Sequence, residues 1–234
     1  MGVCDSCHAG CCRSFAVPIS GADILRLQNE RNLSFWDFIC RWADPEGDIA
    51  RNHAPQFRFS DEPQTPFVIC LNHAESESFP GTTKCQFLME CLPDEEHPLG
   101  QGRCMVHDVR PSTCRAFPTK LSDGGDLAII YDVPERGRAE DNPIYSLCPR
   151  QWTVDDVDPI GTVQDLVVAK YEMTFFSQLA DIWNANPRPW TLFPEFLKVV
   201  YGSRISREEK TETVAERPIL RIHNPEQMPL KKAA

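Results

Sequence analysis

The residues best equipped for chemistry in this sequence are its eleven cysteines, all of which lie between Cys4 and Cys148. Cys4, Cys7, Cys11 and Cys12 fall within nine residues of one another. Thiolate sulfur is soft and takes zinc, copper(I) or iron–sulfur clusters in preference to hard cations. A Cys-x2-Cys pair lets two sulfurs reach one centre from a tight turn, and Cys4 and Cys7 form such a pair with Cys11-Cys12 close behind. Cys85, Cys104, Cys114 and Cys148 follow from distant segments, in the strings CQFL, CMVHDVRPSTCRAFP and LCPR. Adjacent Cys11 and Cys12 would ligate one tetrahedral ion together only awkwardly. Either one of them binds alone, or the eight cysteines divide into two four-sulfur sites. A [4Fe–4S] cluster and a zinc ion both satisfy these residues. Eight cysteines exceed what one structural zinc needs, which favours iron–sulfur. Cys40, Cys70 and Cys91 read as ordinary thiols.

Four thiolates around Zn(II) or a [4Fe–4S]2+ core leave a net charge of about −2, which guanidinium groups and backbone N–H donors offset. Arg13, Arg103, Arg110 and Arg115 each stand within four residues of a motif cysteine. Arg110 and Arg115 are expected to face the cofactor, the competing reading being ordinary surface ion pairs. Pro111 suits the start of a short helix carrying Cys114. His8 and His107 are expected to be hydrogen-bonded or solvated rather than ligands.

The whole-chain balance narrows the partners. With 24 basic and 34 acidic residues the formal charge is −10, which argues against a broad nucleic-acid-binding surface and against attraction to an anionic membrane. No run of about 18 apolar residues is present to span a bilayer. The opening residues lack the basic-then-apolar pattern of an export signal, so the expected compartment is the cytoplasm. There, bunched cysteines read first as metal ligands or redox thiols. The expected partner is a metal ion or cluster, with Pro187-Arg188-Pro189-Trp190 and the C-terminal segment as a place for a protein partner.

Elements must carry these thiols. Ser20 with Asp23, and Ser34 with Asp37, mark two helix starts. The second helix would run on through Phe35, Phe38, Ile39 and Trp42 until Pro45 and Gly47 stop it. Cys40 would lie within it. From Asp44 to Pro149 twelve of the twenty prolines occur, so long helices are not expected. Short apolar runs at 56–60, 65–71, 85–89 and 126–133 predict a small irregular sheet with cysteines on its connections. Residues 159–186 predict the strongest helix, its buried stripe being Val163, Leu166, Val167, Phe175, Leu179, Ile182 and Trp183. A short helix follows at PEFLKVVYG, and 203–234 reads as a solvated charged tail.

At these motifs the sequence resembles the zinc- or iron-chelating cysteine-cluster family, the CxxCxxCC-domain proteins, which are related to flagellin lysine methylases. That family carries C-x-F-L, then C-x-I-Y-x-x-R-P-x-x-C-R-x-F-P, then a final C-P. Here the matching segments are Cys85 to Leu88, Cys104 to Pro118, and Cys148-Pro149. Three residues rather than two separate Cys7 from Cys11, His107 stands where tyrosine is usual, and 91–103 looks like an enlarged loop. The resemblance covers roughly 4–150 and implies metal or cluster binding. Through the methylases it also implies, as an alternative, methyl transfer from S-adenosylmethionine to a protein lysine; a zinc-stabilised interaction module is a further alternative. No glycine-rich strand-to-helix turn suited to S-adenosylmethionine is apparent. The expected fold is α+β: a small, irregular, cysteine-rich, metal-centred domain at 1–202. It has an N-terminal helix pair, a motif core at 4–150 and C-terminal helices at 159–202, followed by the tail.

Overall fold

The computed structural model describes residues 7–50, 54–122, 124, 127–130, 142–148 and 151–202. Cys4, half of the 126–133 run (126 and 131–133) and the 203–234 tail lie outside the described residues.

Ser20 starts helix α2 (Gly21–Arg31), its hydroxyl accepting the Asp23 N–H at 3.2 Å, and Asn32 ends it in the left-handed conformation. A single turn, α1 (Cys11–Ser14), precedes it. The Ser34–Asp37 capping box forms as expected, but the helix it opens, α3, covers only Phe35–Phe38. The chain then turns into strand β1 (Ile39–Ala43). The expected N-terminal helix pair is therefore one helix and one turn, and Cys40 lies on a strand. β-Branched Ile39 and aromatic Trp42 suit a pleated surface. An available neighbour, β3 (Glu62–Leu71), pairs with all five β1 residues, from Ile39 opposite Leu71 to Ala43 opposite Phe67.

β2 (Phe57–Phe59) pairs with the other edge of β3, giving an antiparallel sheet of order β1-β3-β2. Alternation along β3 sorts two cores. Phe67, Ile69 and Leu71 join the main core, while Val68 and Cys70 pack with Ala54, Trp42 and Cys40 on the other face. Three antiparallel hairpins follow: β4 (His73–Glu75) with β5 (Thr83–Cys85), β6 (Leu88–Cys91) with β7 (Gln101–Cys104), and β8 (Thr119–Leu121) with β9 (Ala128–Ile130). The 85–89 run, expected as one strand, is split at Gln86, whose N–H bonds to Asn72 O at 3.1 Å. Cys85 thus ends one hairpin while Leu88 begins the next.

After the short helix α4 (Ser112–Ala116) comes α5 (Pro159–Ala185), started by the Asp158 side chain and by Pro159. Helix α6 occupies 193–202. α5 forms where expected, but its buried face is Leu166, Phe176, Leu179, Ala180 and Trp183, while Val163, Val167 and Ile182 are exposed. Its first turns carry apolar residues on more than one side. The neighbours α4 and the β8–β9 hairpin decide which side is covered.

Phe57, Phe59, Phe193 and Trp183 pack edge-to-face at the centre, with ring centroids 5.0–5.7 Å apart for the Phe59–Trp183, Phe59–Phe193 and Phe57–Phe193 pairs. Arg41 lies over the Phe67 ring at 4.6 Å and pairs with Asp61 at 2.9 Å, closing this cluster at its rim. Phe59→Ala is expected to lower unfolding stability by about 3–5 kcal/mol, read from the urea midpoint at unchanged slope.

Candidate metal centre

The cysteine-rich N-terminal loop owes its path to backbone chemistry. Ala9 takes a positive φ of 60°, and its N–H donates to Cys7 Sγ at 3.3 Å. Gly102 N–H donates to Cys7 O at 2.9 Å, fastening the loop to β7. Two glycines permit the approach. A Cβ on Gly10 would stand 1.7 Å from Ser146 O, and one on Gly102 would stand 2.5 Å from Ala9 Cβ. His8 is buried with Nε2 2.7 Å from Ser146 O. Burial lowers its pKa, so the ring is a neutral hydrogen-bonded clasp to the Cys148 segment.

Arg13, expected beside a cluster, does something else. Its guanidinium is 2.6 Å from Glu90 Oε1, the two side chains being 1% and 4% exposed. Lys84 Nζ reaches Glu90 Oε2 at 3.0 Å, and Ser76 Oγ donates to Oε1 at 2.6 Å. The Glu77 N–H donates to Oε2 at 3.1 Å. Arg13 follows Cys11-Cys12, Lys84 precedes Cys85, and Glu90 lies on β6 beside Cys91, opposite Gly102 of β7. One carboxylate therefore ties three cysteine-bearing segments together. Sequence reasoning missed Glu90, Lys84 and Ser76; the signal was a buried-size set of opposite charges adjacent to cysteines.

The thiols gather around Cys11. Burial pushes up the Cys85 thiol, to about 12, and Cys104 and Cys11 push it further. Burial likewise raises Cys114, with Cys85, Cys11 and Cys104 adding to it, and raises Cys104, with Cys11 adding. Cys11 itself is raised well above the ordinary range by its hydrogen bond with Cys12 and by burial. Cys11 thus acts on each of the other three sulfurs, Cys85 and Cys104 act on Cys114, and Cys104 acts on Cys85. Cys7 and Cys148 stand beside them: burial raises both, Cys11 acts on each, and Cys148 acts on Cys7. Cys12 packs against the main core. Among the described residues, no three His, Cys, Asp or Glu side chains converge tightly enough to hold a metal ion.

The sulfurs are supplied with donors. Besides Ala9 N–H on Cys7, the Phe87 N–H lowers Cys85 and the Val106 N–H lowers Cys104, each two residues on. The Trp152 indole N–H donates to Cys148 Sγ at 3.2 Å. Such N–H···S bonds favour the anionic, metal-binding form of sulfur. Arg110 also lowers Cys104 and Cys114, and its Nε, like that of Arg115, is buried without a hydrogen-bond partner among the described residues. A buried donor left unpaired beside thiols fits an anionic thiolate centre. Arg115 instead stands 3.4 Å from Asp165 on α5, Arg103 is exposed, and His107 is exposed on a 3-10 turn.

Cys114 is placed by α2. Asp23 does not close its own capping box; its Oδ2 accepts the Ser112 N–H at 3.0 Å and the Ser112 hydroxyl at 2.7 Å. Arg26 holds Asp23 Oδ1 at 2.5 Å and donates to Arg110 O at 2.9 Å. Cys91, Cys40 and Cys70 take other positions. Cys91 ends β6 opposite Gln101. Cys40 and Cys70 face each other across β1 and β3, and burial raises Cys40 to about 11.

No model of a known family, no curated protein and no solved structure matches the chain. No helix among the described residues is long and apolar enough to cross a membrane.

The Glu90 network sets an acid limit on stability. Burial alone would raise the carboxyl; hydrogen bonds from Ser76, Lys84 and Arg13 outweigh it and hold it at about 2, below its ordinary 4.5. A pKa depressed on folding stabilises above pH 4.5, and that contribution is lost as pH falls toward 2. The loss is about 3 kcal/mol. Glu90→Gln leaves Arg13 buried without its anion. It is expected to cost about 3–5 kcal/mol near pH 7 and to flatten the acid limb below pH 4.5, both read from urea melts across pH. Gly10→Ala is expected to lower the melting temperature by several degrees, because the loop must retreat from Ser146 O.

Proposed function

We propose that this chain is a cytoplasmic protein binding an iron–sulfur cluster, with Cys11, Cys85, Cys104 and Cys114 as ligands and Cys7 and Cys148 alongside. The observation that carries the reading is the gathering of those four thiols, drawn from α1, β5, β7 and α4, with Cys11 acting on each of the other three. The N–H···S bonds and the unpaired Arg110 Nε support it further. The likeness of the cysteine motifs to the CxxCxxCC-domain family points the same way. Iron–sulfur is preferred to zinc because the cysteines are numerous and come from separate segments. The cluster would supply one-electron redox chemistry or stored iron. The chain's own residues hold the sulfurs in place, keep water from them and offset their charge.

The test is a UV–visible spectrum of the protein purified without oxygen, with iron, zinc and sulfide assayed on one sample. Broad absorption near about 400 nm with about four iron and four sulfide per chain is the expected result. Cys85→Ser, Cys104→Ser and Cys114→Ser each abolish that band, while Cys40→Ser and Cys70→Ser retain it. A colourless protein with stoichiometric zinc would replace the cluster with a zinc site on the same cysteines.

A further inference from the structure

The first turns of α5 carry an apolar stripe turned to solvent. Ile160, Val163, Val167 and Val168 are 72%, 42%, 54% and 48% exposed. Their spacing, with Tyr171 one turn on, keeps them on one side of the helix. The opposite side of the same turns buries Leu166, and Asp165 pairs with Arg115. Farther along, the outward positions Thr174, Gln178 and Asp181 are polar and Ile182, 63% exposed, stands apart, so the continuous stripe runs over 160–171. A row of four β-branched residues in water is an unusual surface unless something covers it.

The way the chain leaves the fold indicates what does. Helix α6 packs Tyr201 against Phe175 of α5, with ring centroids 5.3 Å apart, so residue 202 lies one helical turn from the end of the stripe. Residues 203–234 continue from that point. They include the apolar run Ile219-Leu220-Arg221-Ile222, flanked by Arg217. Seventeen residues separate Gly202 from Leu220. Extended, they reach up to about 60 Å, whereas the stripe spans only about 16 Å. Charge agrees as well. The 203–234 segment holds seven Lys and Arg against five Asp and Glu, leaving 17 against 29 in the rest of the chain, a net −12. The stripe starts beside Asp155 and Asp158, which offer opposite charge to a basic segment such as the one holding Arg217 and Arg221.

We propose that residues 217–222 dock in cis on the Ile160–Val168 stripe of α5, with the two arginines directed to the acidic start of that helix. Docking brings the C-terminal segment to the same helix that fixes Arg115 and, through α4, borders Cys114. It does not depend on which metal the cysteines hold.

The experiment is hydrogen–deuterium exchange on the full chain at two concentrations tenfold apart. It compares wild type with the Val163→Asp/Val167→Asp double variant and with Leu220→Asp/Ile222→Asp. Both variants alter exposed or terminal positions, and an unchanged melting temperature checks that the fold persists. The expected result is exchange at 218–224 slowed at least about tenfold relative to an unstructured peptide, equally at both concentrations, with the slowing lost in either variant. Tryptic cleavage after Arg221 speeds up in parallel. Exchange at 218–224 at the unstructured rate in wild type would overturn the proposal. So would protection that survives Val163→Asp/Val167→Asp. Protection of α5 that grows with concentration alongside a doubled mass would overturn it in favour of a second copy of the chain.

Discussion

A buried charge set, Arg13 with Glu90 and Lys84, is the interaction on which the rest of the cysteine-rich half depends. It lies between the segment that carries Cys7, Cys11 and Cys12 and the two hairpins that carry Cys85, Cys91 and Cys104. The segment has too few apolar residues to hold itself in place. A buried ion pair adds little net stability compared with apolar packing, because desolvating both charges offsets their attraction. What it adds is placement: where the segment sits, a guanidinium, an ammonium and a carboxylate are satisfied at once. The same burial makes any single break costly, since it strands a charge.

Around that anchor, close backbone approach does the fine positioning. Gly10 and Gly102 let the loop touch Ser146 and β7, and the neutral His8 ring clasps the segment leading to Cys148. On the other side Asp23 reaches from α2 to Ser112 and so orients the short helix carrying Cys114. Four elements remote in sequence thereby deliver sulfurs to one neighbourhood. Each sulfur is raised in pKa by burial and by its neighbours, a cost that a bound cation would remove by taking the place of the protons.

Arg110 and Arg115 illustrate how near neighbours in sequence part company. Five residues apart and on either side of Cys114, they were equivalent candidates for neutralising a thiolate centre. Arg110 acts on Cys104 and Cys114, whereas Arg115 stands 3.4 Å from Asp165 on α5. Arg110 lies before the short helix and Arg115 within it, a difference of direction to which motif spacing is blind.

The sequence by itself determined the kind of chemistry on offer and several local structures. Soft ligands in clusters, the Ser34–Asp37 capping box, the Phe57–Phe59 alternation and the span of α5 all follow from residue type and short-range spacing. Tertiary structure alone decided the rest. The helix expected through Cys40 gave way to a strand because β3 offered five paired residues, a gain that local periodicity cannot register. The buried face of α5 went to Leu166 and Phe176 because α4, the β8–β9 hairpin and β2 pack on the helix, Phe176 meeting Phe57 of β2. Glu90 became the hub of the cysteine segments because burial and opposite charge met there. Such contacts join residues dozens of positions apart, and only the folded chain brings them within a few ångströms.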